Sequence, residues 1–255
     1  MVENVYFFGV KITVGTVNDF INEIVKKALV KEVSYICVSN VHTTIMASED
    51  YNYRGINNNS FMSITDGMPL VYISKKYRGK KGIERLTGPD LMLKIFEDIR
   101  FKDAKHYFYG STEQTLNSMI NNLNDKFNNL KIAGYYSPPY RQLTEEEQIE
   151  IVNRINSLKP DFIWVGLGAP KQERWMSGIV PYLHQGILVG VGAAFDYHAN
   201  NIKRAPFLLQ KFGLEWLYRL IQEPKRLFKR YLITNSKFVY KVFLNEVYNK
   251  RENGD

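Results

Sequence analysis

The chain carries a single cysteine, Cys37, among 255 residues. That excludes an intramolecular disulfide and fits a reducing compartment. Cys37 stands in an apolar run, where a thiol behaves as a small buried hydrophobe rather than a nucleophile. Histidine is scarce as well, at four residues, and no Cys/His cluster has metal-ligand spacing. A Walker A loop and a dinucleotide Gly-x-Gly-x-x-Gly fingerprint are both missing. No apolar run is long enough to span a bilayer, and the first residues enter a strand-like run without a secretory pattern. The expectation is a cytoplasmic protein. There is no internal repeat and no low-complexity linker. What is present is ordinary for a globular chain, with 45% hydrophobic and 24% charged residues, and the length suffices for one well-buried domain with an appendage or for two small domains.

Charge is unevenly placed. Residues 199–255 hold 12 Lys/Arg against 5 acids, which is +7 of the chain's net +8. A near-neutral body with a basic tail points to a polyanionic partner for the tail.

The body alternates strand and helix patterns. Val5–Val10 and Ser34–Ser39 are strand-like, with a helical repeat between them from Thr16 to Val30 (Phe20, Ile24, Ala28) and a second helix expected over His42–Asn52. Met62–Thr65 is a short apolar strand running into Asp66-Gly67. His106–Tyr109 ends in Gly110, with Ser111 as a cap for a helix to Leu123. Lys131–Tyr135 follows, then Thr144-x-x-Glu147, a capping box opening a helix to Leu158. Asp161–Gly166 and Ile187–Val191 complete the set. Such alternation predicts a Rossmann-like, mainly parallel sheet with helices on both faces over residues 1–198. Beyond it, Leu208, Leu209, Phe212, Trp216, Leu217, Leu220 and Ile221 keep helical spacing, and Pro224 starts a second helix. Residues 199–255 thus form a basic, amphipathic helical appendage. Arg219, Arg226 and Arg230, spaced by seven and four, are expected on one face.

Residues 163–175, Ile-Trp-Val-Gly-Leu-Gly-Ala-Pro-Lys-Gln-Glu-Arg-Trp, are the most informative stretch. A buried strand ends at Gly166 and Gly168, which permit a tight turn, and Pro170 suits a first helical position. Lys171, Gln172 and Arg174 then surround a helix N-terminus at the carboxyl edge of a sheet, a place that favours anions and nucleotides. An ordinary strand-to-helix turn would read the same way.

Four blocks in register resolve that ambiguity. Gly-Leu-Gly-Ala-Pro-Lys-Gln-Glu, Thr65-Asp66-Gly67-Met68-Pro69, Glu84-Arg85-Leu86-Thr87-Gly88-Pro89-Asp90-Leu91-Met92 and Lys203-Arg204-Ala205-Pro206 leading to Gly213-Leu214-Glu215-Trp216-Leu217-Tyr218-Arg219 resemble the WecG/TagA/CpsF family of bacterial glycosyltransferases. The resemblance runs from about residue 5 to about residue 240. It implies inverting transfer of a hexose or N-acetylhexosamine from a UDP-sugar to a polyprenyl-diphosphate-linked sugar, in surface polysaccharide, capsule or teichoic-acid assembly.

By the same resemblance Asp66 is the general base, although a bare Asp-Gly usually caps its own turn. Arg85 becomes a phosphate ligand within a charged segment (Lys75, Lys76, Arg78, Lys80, Lys81, Glu84), with Thr87 and Asp90 setting the turn into the next helix. Gln172 is implied to bond sugar hydroxyls or the acceptor. Asn40, Gly67, Gly110, Gly166, Gly168 and Lys171 are further expected substrate-binding positions, and Asp196, after the glycine-rich end of the last strand, is a weaker candidate for a ribose or hydroxyl. Arg219, Arg226 and Arg230 would grip a diphosphate, which suits guanidinium geometry. No Asp-x-Asp pair is present to hold a divalent ion, so metal-independent transfer without a cofactor is expected. The residues alone also fit a helical hairpin packed on the body with its cations in water; the resemblance favours docking on an anionic membrane at its inner face, and it leaves open whether a homo-oligomer covers the apolar side elsewhere. Departures from the family pattern (Val38 for Thr, Asn40-Val41-His42 for Asn-Ala-Glu, Asp66-Gly67-Met68-Pro69 for Asp-Gly-Ile-Gly) leave the sugar open. His42 by itself reads as a satisfied loop histidine. The competing reading is a nucleic-acid-binding protein using the basic tail; its charge forms no recognisable motif, so no nucleic acid is expected. A nucleotide-dependent oxidoreductase lacks its fingerprint.

Overall fold

The computed structural model describes residues 1–77 and 82–252. Arg78, Lys80 and Lys81 of the charged segment, and residues 253–255 of the tail, lie outside the described residues.

The chain opens with a hairpin, β1 (Glu3–Phe7) and β2 (Val10–Val14), where a single strand was expected over Val5–Val10. Phe8 and Gly9 at φ 55° and 81° reverse the backbone between them, as two-residue hairpin turns require. Next come α1 (Val17–Leu29), β3 (Ser34–Ser39), α2 (Val41–Glu49), α3 (Tyr51–Asn59) and β4 (Met62–Thr65). The helix expected over His42–Asn52 is in fact two, because Asp50 takes an extended conformation and its carboxylate caps the second by accepting from Tyr53 N at 2.9 Å. There follow α4 (Met68–Tyr77), α5 (Gly88–Glu97), β5 (Lys105–Gly110) and α6 (Glu113–Lys126). Thr112, not Ser111, caps α6; Ser111 sits at φ 59°, which a cap residue cannot use. The capping box of Thr144 and Glu147 forms as read and opens α7 (Glu145–Leu158) after β6 (Lys131–Tyr136).

The remaining elements are β7 (Phe162–Gly166), α8 (Lys171–Ile179), β8 (Ile187–Gly190), α9 (Ala194–His198), α10 (Phe207–Lys211), α11 (Glu215–Gln222) and α12 (Pro224–Glu252). Pro170 precedes the first turn of α8 rather than occupying it, and its carbonyl accepts from Arg174 N at 3.2 Å.

All described strands join one sheet in the order β1-β2-β4-β3-β8-β7-β5-β6, parallel except for the β1–β2 pair. Side-chain alternation splits the core. Ile36, Ile64, Phe108, Trp164 and Val189 meet α1, α5, α6 and α9 on one face. Cys37, Tyr107, Ile163 and Leu188 meet α7 and α8 on the other. Buried strands of this kind read as continuous apolar runs, as here. The chain leaving β3 therefore turns to one face and the chain leaving β8 to the opposite face, although the two strands are neighbours. Their carboxyl ends border a crevice, the position where open α/β sheets bind ligands.

The C-terminal helices break more often than their apolar spacing implied. Gly213 at φ 73° separates α10 from α11, and Glu223 before Pro224 leaves helical geometry, since a residue preceding proline disfavours it. The start of the tail is anchored: Leu227, Thr234 and Phe238 of α12 are buried, and α12 lies against α2. Phe207, Leu208, Phe212, Ile221, Phe228, Leu232, Val239 and Phe243 are instead exposed by more than half. Among the described residues, no helix is long and apolar enough to cross a membrane.

Candidate active site

Asp66 follows the last residue of β4 and its amide donates to Ser39 O at 2.8 Å, so the corner after β4 is tied to the end of β3. Gly67 makes this closeness feasible: a Cβ there would lie 3.3 Å from Asn40 Cα. Asn40 itself caps α2, its side chain accepting from His42 N and Thr43 N at 3.0 and 3.2 Å.

Arg85 arrives at the same corner because Leu86 N donates to Thr65 O at 2.9 Å. Its guanidinium donates to the Asp66 carbonyl through Nε, and through Nη2 to Asp66 Oδ1 at 3.2 Å and to Glu215 Oε2 of α11 at 2.6 Å. One arginine thus bridges two carboxylates. Burial pushes the Asp66 carboxyl above its ordinary range, with Arg85 working against that shift and Glu215 adding to it. A carboxylate that is half-hidden, basic and at a strand end is suited to accept a proton from a hydroxyl.

The network continues. Thr87 caps α5, bonding Asp90 Oδ2 at 2.6 Å. Arg204 grips both Asp90 oxygens with both terminal nitrogens, donates to Thr87 Oγ1 at 3.2 Å, and places Nε 3.9 Å from Glu215 Oε1. The order Asp66, Arg85, Glu215, Arg204, Asp90 alternates in sign throughout. Thr87, expected at a substrate, has its hydroxyl engaged within this clamp.

The three tail arginines do not share one helix face. Arg219 lies in the last turn of α11, while Arg226 and Arg230 belong to α12 beyond the break at Glu223 and Pro224. Arg226 is exposed and held by Glu223. Arg219 lies over the Tyr197 ring at 5.6 Å, touches Glu223 at 3.7 Å, and is near enough to act on Asp66. Arg230 lies over Tyr231 at 6.0 Å. The Nε atoms of Arg219 and Arg230 are buried without a hydrogen-bond partner. His42 faces the same region; burial and the Arg230 charge pull it down to about 4, so it is neutral at physiological pH. Its buried Nδ1 likewise has no partner. Buried donors without acceptors are uncommon and mark a place for an anion or water.

The glycine turn after β7 has two kinds of glycine. A Cβ on Gly166 would fall 2.5 Å from the Phe195 ring, and one on Gly110, at φ 119°, 2.7 Å from the Gly166 carbonyl carbon. Both are close-packing positions. Gly168 at φ 75° has open space where a side chain would go. Gln172 is 4% exposed: Oε1 accepts from Gly168 N (3.1 Å) and Gly192 N (3.0 Å), and Nε2 spends one of its two N–H donors on Glu173 Oε1 (2.8 Å). It ties the turns after β7 and β8 together. Lys171 is exposed, and half-buried Asp196 meets Asn201 Nδ2 at 3.4 Å. Gly88 joins the two halves, since a Cβ there would be 2.8 Å from Val191 O at the end of β8.

The fold therefore gathers Asn40, Asp66, Gly67, Arg85, Thr87 and Arg219 at one corner and Gly166, Gly168 and Gln172 at the adjoining turn. Glu215 and Arg204 were missed as site residues. The signal was available, because both stand inside the blocks that carried the resemblance.

The chain matches the model of the "Glycosyl transferase WecG/TagA/CpsF family" over residues 5–252. Among curated proteins it is 30% identical over 213 residues to an N-acetylglucosaminyldiphosphoundecaprenol N-acetyl-beta-D-mannosaminyltransferase of Bacillus spizizenii, covering 84% of this chain and 80% of that protein. Proteins of the same name from Bacillus subtilis and Staphylococcus aureus are 28% and 27% identical, over 85% and 82% of this chain and 81% and 79% of theirs.

Proposed function

The chain belongs to the WecG/TagA/CpsF family and is a glycosyltransferase, and from that premise we propose that it moves an N-acetylhexosamine-type sugar from a UDP donor to a sugar on polyprenyl diphosphate. N-acetylmannosamine and a GlcNAc-bearing acceptor are the first pair to try, after the names of the relatives. The observation that carries the reading is the Asp66 corner: a carboxylate made basic by burial, opening toward arginines with unsatisfied donors.

Asp66 takes the proton of the acceptor hydroxyl as the oxygen attacks the anomeric carbon. The new C–O bond forms opposite the breaking bond to UDP, whose electron pair leaves with the diphosphate, so configuration inverts. Arg219 and Arg230 supply positive charge to a diphosphate where other transferases use a metal ion, which makes the transfer metal-independent. The open face of Gly168 and its neighbouring turn amides approach the donor, with Gln172 fixing that turn.

The exposed apolar side chains of α10–α12, interleaved with Lys211, Lys225 and Lys229, lie on an anionic inner-leaflet surface where the lipid-linked acceptor resides. Each basic residue near such a surface contributes ~1 kcal/mol. The test is UDP release by the full chain with a panel of UDP-sugars and a prenyl-diphosphate-linked GlcNAc, with EDTA present throughout. Sugar-dependent turnover insensitive to EDTA is expected. Absence of both turnover and UDP binding would overturn the reading.

A further inference from the structure

Two carboxylates compete for one arginine at the site, and the outcome bears on the assignment of Asp66 as base, on which this inference rests. Arg85 reaches Asp66 Oδ1 at 3.2 Å but Glu215 Oε2 at 2.6 Å through the same Nη2. The nearer carboxylate is the stronger claimant on that donor. Glu215 is 7% exposed, so its charge is stripped of most water and acts at short range. Burial at this level demands a partner; Arg85 donates to Glu215, and Arg204 Nε adds charge at 3.9 Å without a hydrogen bond.

We propose that Glu215 is a positioning residue for the base: by drawing the Arg85 guanidinium toward α11, it keeps the Asp66 carboxylate free to accept a proton. Without Glu215, Arg85 turns wholly to Asp66 and pairs with it, and a carboxylate in a close ion pair is a poor base. The charged and titratable groups facing Asp66 are Arg85 from the segment before α5, Glu215 and Arg219 from α11, Tyr197 from α9 and Tyr231 from α12. Of these, Glu215 is the one carboxyl group, so its removal has one sign. It lowers the proton affinity of Asp66.

The experiment follows thermal melting against pH for the full chain, for Asp66→Asn, for Glu215→Gln and for the double variant, together with turnover against pH. The melting difference between Asp and Asn at 66 reports the titration of Asp66 without relying on substrate. With Gln at 215 that transition moves down by ~1 pH unit, the low end of what one neighbouring charge does to a carboxyl. The acid limb of turnover moves with it, and the plateau rate falls several-fold. Glu215→Asp, whose shorter side chain retreats from Arg85, gives a smaller move in the same direction, and alone suffices if Glu215→Gln does not fold. Coincident curves with Glu, Asp and Gln at 215 overturn the proposal. If Asp66→Asn is inactive while the curves coincide, only the role of Glu215 is lost. If Asp66→Asn turns over normally, the base assignment fails and the role of Glu215 fails with it.

Discussion

Gly166→Ala and Gly168→Ala separate packing from binding at a turn where the sequence treats both glycines alike. The Cβ that Gly166→Ala introduces would sit 2.5, 2.7 and 2.9 Å from Cδ2, Cε2 and Cγ of Phe195, where carbon atoms rest at about 3.5–4.0 Å. The ring must withdraw by about 1 Å. Phe195 is fully buried and meets Phe108 edge-on at 5.9 Å, so it has no solvent to retreat into. Overpacking of this kind costs ~1–3 kcal/mol. For a chain of this size each kcal/mol lowers the melting temperature by roughly 2–4 °C. Gly168→Ala meets no atom within 4 Å and suffers only the left-handed backbone, ~1–2 kcal/mol. Its methyl group projects into the open side of the turn, so UDP-sugar affinity falls further than stability does. Scanning calorimetry and UDP titration on the two variants measure both effects. A Gly166→Ala protein melting within about 1 °C of the parent, or a Gly168→Ala protein binding UDP normally, would refute the division.

Asp66→Asn should reduce turnover by ~10²–10⁴, the usual worth of a general base. Turnover of the parent should fall as pH drops through the raised Asp66 value. Because that value is raised on folding, keeping the carboxyl protonated contributes stability below the ordinary carboxylate range, lost as pH rises through the folded value. Well above that value Asp66→Asn is therefore expected to melt no lower than the parent, and a clear drop would contradict the burial argument. Arg204→Ala removes a two-point grip on Asp90 and a partner of Glu215; a melt lower by several degrees with weaker turnover is expected, and unchanged melting would show the clamp to be idle. Phe228→Ser with Leu232→Ser, 60% and 59% exposed, should leave melting unchanged while weakening co-sedimentation with vesicles containing anionic lipid. Equal vesicle binding would move the docking surface elsewhere.

Most of the architecture was legible in the residues because strands buried on both faces must be apolar runs and their helices must carry one apolar stripe. Ser34–Ser39 and Met62–Thr65 are strands as read, and Thr144-x-x-Glu147 caps its helix as read. Misreadings occurred where a local conformation, not a pattern, decides the outcome: Phe8 and Gly9 reversing a strand, Asp50 ending one helix to cap another, Gly213 and Pro224 cutting the tail.

By itself, then, the sequence determined the class of fold, the uneven charge, and the blocks that identify the family. These follow from periodicity and residue type, which act over a few positions. Which groups touch was decided only by the tertiary structure. Arg85 and Glu215 are separated by 130 positions, and Arg85 meets both Glu215 and Asp66 because β4, the segment before α5 and α11 converge on one corner. Gln172 Oε1 joins Gly168 N and Gly192 N, a link between two turns that only the packing of β7 beside β8 brings together. No spacing rule encodes such meetings; they exist only once long-range packing has fixed the distances.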